Sequence, residues 1–252
     1  MTAGAAPAVG PSLALVLLAL TAVAALLVRL GGLRLEREVV VAAVRAVAQL
    51  AAVSLVIAAV LRSMGWTVAF VAMMVVVAAF TAARRIAGPG RPPARTVWWA
   101  GISVVAGVGP VLALVLGSGT VPAEPVAVLP IAGILVGGAM TATALTGHRA
   151  LDELRTRHGE YEAALALGLM PRDAALELCR PAAALALAPA LDQTRTVGLV
   201  TLPGAFVGVI LGGADPVEAG ATQVLVLIGL LAAEAVCALA TLELVAAGRV
   251  RG

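Results

Sequence analysis

Lysine is absent from the 252 residues, so all seventeen basic side chains are arginine. Aromatic residues make up 3% and charged residues 12%, with only two cysteines and two histidines. Each scarcity removes a class of function. Without a basic face interleaved with aromatics, no nucleic-acid partner is expected. Cys179 and Cys237 lie far apart in segments of different character, so two buried apolar thiols are expected and no disulfide. His, Cys, Asp and Glu nowhere take the spacing of a tetrahedral metal site, which leaves any metal ligands unknown. A Gly-x-x-x-x-Gly-Lys-Ser/Thr run is also missing, so the chain does not hold ATP by that device. No nucleophile stands with a base inside an apolar run, as an intramembrane enzyme would need.

What is abundant is apolar surface: 62% of the residues are hydrophobic. No water-soluble domain hides that share, so an all-α polytopic membrane protein is expected. Seven runs have the length and character of spans: residues 12–28, 39–61, 66–83, 97–116, 125–146, 188–211 and 217–246. No basic region precedes the first, and residues 13–28 read as a retained helix, not a cleaved signal. We expect a single transmembrane permease domain over residues 1–252, with a cytoplasmic helical loop at 148–181.

The arginines set the orientation. Alternate connections and the C-terminal tail hold fourteen of them, including Arg29, Arg84, Arg91, Arg149, Arg157, Arg172 and Arg251, whereas the opposite connections hold Arg62 alone. Loops left in the cytoplasm carry the arginine excess, so the N-terminus is placed outside and the C-terminus in the cytoplasm. A lysine-free, alanine-rich composition suggests a bacterial source, hence a bacterial cytoplasmic membrane. Residues 88–93 form a stiff Gly/Pro cytoplasmic loop and residues 117–120 an external one. Trp98 and Trp99 follow the basic loop, where interfacial anchors in contact with membrane lipid belong.

One stretch breaks the apolar monotony. Residues 151–181 gather ten charged side chains and His158. Leu151, Leu154, Tyr161 and Leu165 fall on one helical face, which predicts an amphipathic helix lying on a surface. Gly168 is suited to end it and Pro171 to begin the next, because glycine tolerates the left-handed conformation and the first helical position needs no N–H donor. Pro181 is then expected to turn the chain into the membrane. His148 and His158 lie in this cytoplasmic region and are expected to be solvated.

Glu162, Ala163 and Ala164, followed after three residues by Gly168 and after nine more by Leu178-Cys179-Arg180-Pro181, resemble the EAA loop of ABC importer permeases. Arg180 stands where that pattern has Leu. The resemblance implies a coupling helix that docks on an ATPase subunit, with Glu162, Ala163, Ala164, Gly168, Met170 and Pro171 at the contact. A wider similarity, from about residue 33 to 246, is to the FetB-type ABC permeases of bacterial iron export and metal tolerance, related to plant aluminium-tolerance membrane proteins. It is carried by Arg45-Ala46-Val47-Ala48-Gln49-Leu50, by residues 133–141 (GILVGGAMT) and by residues 196–204 (TVGLVTLPG). Members often carry Asn at the place of Gly138 and Met at that of Ala205. The resemblance implies a cytoplasmic ABC ATPase as partner, with ATP and Mg on that subunit and no cofactor in this chain, and a homodimer of permease chains.

Polar groups inside apolar runs are costly and raise functional candidates. Arg45 and Gln49 share a face of the second run; Asp192, Gln193 and Arg195 cluster in the sixth. A pairing of Arg45 with Asp192 would tie these helices together; the alternative is a translocation path lined by them. Pro203 removes a backbone donor, so Thr201 can mark a hinge, while Gly204, Gly208 and Gly212 form a ridge for close helix packing. Met140 and Thr141 give the fifth run a mildly polar end. Glu234, with Gln223 earlier in the last run, is either a ligand for a metal or proton or a hydrogen-bonding link between helices.

The leading expectation is the permease subunit of an ABC exporter. An ion-coupled secondary transporter using Asp192 and Glu234 is the alternative, as is an ABC permease for a sugar nucleotide or lipid. No inverted repeat of the secondary-transporter kind stands out in the sequence.

Overall fold

The computed structural model describes residues 10–88 and 90–250. Pro89 of the stiff loop and Arg251 of the tail lie outside them. Ten helices account for most of the described chain: α1 Pro11–Leu30, α2 Glu36–Val60, α3 Met64–Ala87, α4 Ala94–Gly117, α5 Pro125–Thr156, α6 His158–Ala166, α7 Pro171–Ala186, α8 Ala188–Thr196, α9 Gly204–Leu211 and α10 Pro216–Ala246. Among the described residues there is no strand, only an isolated bridge between Val197 and Thr201. Seven segments are long and apolar enough to cross a membrane, with α7 and α8 together supplying the sixth, Pro171–Thr196. The chain is an all-α, multi-pass membrane protein.

The fold divides into two compact units, residues 1–60 and 61–252. In the first, α1 and α2 pack together across a tight connection in which Gly32 (φ +71°) and Arg34 (φ +56°) take left-handed conformations.

In the second unit, α5 and α10 are the central pair, flanked by α3, α4 and α7. Small residues let these helices approach. Ala78, Val104, Leu135, Ala139, Ala233 and Cys237 belong to one buried cluster. Gly107 of α4 shows how close the approach is: a Cβ there would fall 2.4 Å from Cys237 Sγ and 2.5 Å from the Ala233 carbonyl oxygen. Both cysteines are free and buried, as expected, and each thiol donates to a backbone oxygen, Cys237 to Ser103 (3.2 Å) and Cys179 to Ala150 (3.4 Å).

At 1.5 Å per residue α5 and α10 are each about 45–50 Å long, against a hydrocarbon core of about 30 Å. Their ends therefore project from the membrane. Leu151 and Leu154 ride on the last turns of α5, and the chain breaks at Arg157 (φ −105°, ψ +31°) before α6 begins. The single amphipathic helix expected over residues 151–165 is thus two helices. Its apolar residues nevertheless converge: Leu151, Leu154 and Tyr161 pack with Leu176, Cys179 and Val245 in a second buried cluster.

The sixth span also departs from expectation. It was placed at residues 188–211, but the helix starts at Pro171, passes Pro181 without stopping, bends at Leu187 ahead of Pro189 and ends at Thr196. The buried face of α7, including Ala175, Leu178, Cys179, Ala182 and Ala186, is apolar; its charges lie on the other face and lower the average that marks a span. Where a hinge beside Thr201 is expected, the helix breaks completely between Thr196 and Gly204. Gly198 (φ +81°) donates its N–H to Thr201 O (2.9 Å), Val200 N–H returns to Thr196 O (2.9 Å), and Pro203 caps α9. With eight residues, about 12 Å, α9 is too short to cross. Around Gly204 and Gly208 the space that a Cβ would occupy is open.

Candidate functional site

Glu234 sits two-thirds of the way along α10 and is 8% exposed. Among the described residues no hydrogen bond or ion pair satisfies its carboxylate. It faces a cavity of about 290 Å³ walled by α5, α10 and the bend between α7 and α8. Thr141 on α5 and Gln193 on α8 line the same cavity, and the Thr141 hydroxyl donates to the Gly137 carbonyl (3.0 Å). Ile134, Ala186, Ala190 and Leu230 supply apolar walls. Three polar side chains that are far apart in sequence thus meet at one place.

Helix geometry accounts for the convergence. Pro189, without an N–H, sits at the start of α8 where the chain leaves the α7 direction. That bend opens a gap beside α5, into which Gln193 is brought one turn later. On the opposite wall, Gly138 carries no side chain. A Cβ there would stand 2.4 Å from Glu234 Oε1 and 2.3 Å from Leu230 Cδ1, so the carboxylate occupies room that only glycine leaves free. Sequence reading singled out Gly138 only as a departure from a pattern; its contact with a residue 96 positions away had no sequence signal.

The other candidates fall elsewhere. Met140 is half-buried and packs between helices, so it belongs to the core. Asp192 and Arg195 point away from the cavity; their side chains are 72% exposed and lie 3.7 Å apart. Thr201, Pro203 and Gly204 occupy the break and the start of α9 and do not line the cavity. Arg45 and Gln49 lie on α2 in the first unit. Gln223 is buried on α10 but outside the cavity, with its side-chain oxygen unpaired.

A larger groove of about 1010 Å³ runs along α3 and α4, lined by Val76, Phe80, Trp98 and Ile102 with Arg91 at one end. Its apolar lining and exposed Trp98 fit contact with lipid. Trp99 is half-buried, and the Arg249 guanidinium lies 5.5 Å from its ring centre.

The turn between α6 and α7 is built as its residues dictate. Gly168 adopts φ +91°; its N–H donates to Leu165 O (2.9 Å) and that of Leu169 to Ala164 O (3.1 Å), the paired bonds of a Schellman ending. Pro171 opens α7. Leu167 (83% exposed) and Met170 (69%) project from this turn. Arg157 donates from Nε to Glu160 (2.9 Å), which holds the Glu160 carboxyl below its ordinary range. Glu162 and His158 are exposed and 3.9 Å apart. Arg172 at the start of α7 reaches Glu243 near the end of α10 (2.7 Å).

A family model described as "Uncharacterised protein family (UPF0014)" matches residues 12–248. The chain is similar to the UPF0014 membrane protein STAR2 of Oryza sativa subsp. japonica, 37% identical over 86% of this chain and 77% of that one. It is likewise 37% identical to Protein ALUMINUM SENSITIVE 3 of Arabidopsis thaliana, over 77% of this chain and 71% of that one. The probable iron export permease protein FetB of Escherichia coli (strain K12) is 37% identical over 52% of this chain and 50% of its own. No solved structure matches.

Proposed function

Starting from the fact that the chain belongs to the uncharacterised protein family UPF0014, we propose that it is the membrane-spanning subunit of an ABC transporter that exports iron or another metal. ATP, with Mg, is bound and hydrolysed on a separate cytoplasmic subunit. The observation that carries this reading is the continuity between the Glu234 cavity and the α6–α7 turn. One wall of the cavity, α7, starts at that turn; a second, α5, reaches it through α6; and the third, α10, meets the start of α7 through the exposed Arg172–Glu243 pair. Force applied at Glu162, Ala163, Ala164, Gly168, Met170 and Pro171 would tilt all three walls together. The cargo class is supported by the relatives whose names mention iron export and aluminium sensitivity.

Residues 1–252 act as one permease domain, and two such chains pair over two ATPase subunits in the bacterial cytoplasmic membrane. The arginine excess supports a cytoplasmic C-terminus and an external N-terminus. Charged side chains in a span need protein or water beside them, so the face of α8 bearing Asp192 and Arg195 is turned to the path or to another helix. Thr201, Pro203 and Gly204 belong to that same path or helix pairing. Asp192→Asn is expected to lower transport or assembly, measured as metal flux and as complex recovered by size-exclusion chromatography; if neither changes, this role is wrong.

The test of the whole reading is metal flux in vesicles containing the chain and its ATPase subunit. Iron should move only with ATP, and Glu234→Gln should reduce flux by about thirtyfold or more with the complex still assembled, since one charge partner of the cargo is gone. Flux through the chain alone, driven by a pH gradient, would instead identify an ion-coupled secondary transporter. ATPase stimulation by a lipid or sugar nucleotide and by no metal would overturn the cargo.

A further inference from the structure

The Glu234 cavity is both too large and too poor in ligands for a bare metal ion. Direct coordination needs about four donors for zinc and about six for magnesium-like ions. Among the described residues no group of three His, Cys, Asp or Glu side chains stands close enough to hold an ion together. The polar lining instead consists of one carboxylate, one amide and one hydroxyl: Glu234, Gln193 and Thr141. The volume is about 290 Å³, and a water molecule claims roughly 30 Å³. The cavity is open on the side where Gln193 is exposed, and its volume has room for an ion together with a shell of about six waters.

The charge of the site is equally specific. Glu234 is more than nine-tenths buried, lines the cavity and makes no hydrogen bond or ion pair among the described residues. Among the described residues no arginine or histidine lines the cavity. An opposite charge beside a buried carboxyl favours its ionised form, so a cation and Glu234 stabilise one another here, and the neighbours Gln193 and Thr141 offer oxygens that accept hydrogen bonds from water held on a metal. With no sulfur or imidazole in the wall, hard cations are favoured over soft ones.

We propose that this cavity binds a hard metal cation with most of its water shell retained, held by hydrogen bonds from coordinated water to Glu234, Gln193 and Thr141. The inference rests on the transport reading for its meaning, but not for its test. A hydrated ion pays little to enter or leave, which suits a transit site. Gly138 sets the position of the carboxylate: an added Cβ meets only the mobile ends of Glu234 and Leu230, so Gly138→Ala shifts the carboxylate without breaking helix packing.

Mn²⁺ added to the detergent-solubilised full chain, without any ATPase, is the probe. Water-proton relaxation reports how many waters the bound ion keeps. One Mn²⁺ per chain with strong relaxation enhancement is expected, weakened about thirtyfold in Glu234→Gln and severalfold in Gln193→Ala and Gly138→Ala. Absence of Mn²⁺ binding in the unaltered chain, unchanged binding in Glu234→Gln, or a bound ion stripped of water would overturn the proposal. Should Glu234→Gln not fold, unchanged affinity in both Gln193→Ala and Gly138→Ala overturns it equally. Hydrated Mn²⁺ bound at Glu234 in a chain that shows no ATP-driven flux would sustain this site and remove the transport reading alone.

Discussion

Replacing Leu167 and Met170 together by Glu should abolish binding of the ATPase subunit while leaving the chain as stable as before. Both side chains project from the Schellman turn between α6 and α7 and touch little of their own subunit. Surface substitutions of that kind change folding by roughly half a kcal/mol or less. At an interface the arithmetic differs: exposed apolar anchors buried by a partner are each worth about 2 kcal/mol or more, and buried unpaired carboxylates add a further penalty. A loss of a hundredfold or more in affinity is expected, roughly 3 kcal/mol at 1.4 kcal/mol per factor of ten. Affinity for the purified ATPase subunit and thermal unfolding of the permease, measured on the same samples, check the two halves. Undiminished affinity would show that the ATPase does not dock on this turn.

That turn was the most legible part of the molecule. Gly168 and Pro171 act through local rules, the left-handed φ and the missing N–H, and the structure obeys both. The break at Arg157 was not legible, because the apolar spacing runs through it undisturbed and the nearby Gly159 falls inside the first turn of α6, not at the break. The sixth span was misplaced for a related reason. Charges on one face of α7 dilute a hydropathy average, whereas the structure buries only the other face. Length and apolar character placed the remaining spans to within a few residues, apart from the C-terminal ends of α3 and α5.

The candidate site was half visible. Thr141, Gln193 and Glu234 each stand out as polar groups in apolar runs, yet nothing in the sequence indicates that they share one cavity. Their meeting depends on the Pro189 bend and on Gly138, both of which act through helix packing. Met140 shows the converse: polarizable and adjacent to Thr141, it nonetheless turns into the core, because successive helical residues point about 100° apart.

Gly107→Val is expected to be the most damaging single substitution in the bundle. The first added carbon would overlap both Cys237 Sγ (2.4 Å) and Ala233 O (2.5 Å), and Ala233 O is backbone that cannot swing aside. Overpacking of a close-packed core costs about 1–3 kcal/mol when side chains can adjust; a fixed carbonyl and two further methyl groups push this case to the top of that range or past it. The helices α4 and α10 must then separate, which loosens the wall that carries Glu234, so cation binding falls along with stability. Cys237→Ala added to Gly107→Val removes the sulfur but not the carbonyl, so it should recover part of the stability and never all of it. Denaturation midpoints of the two single variants and the double variant decide the matter. A Gly107→Val chain as stable as the original would mean that α4 and α10 are not packed this closely.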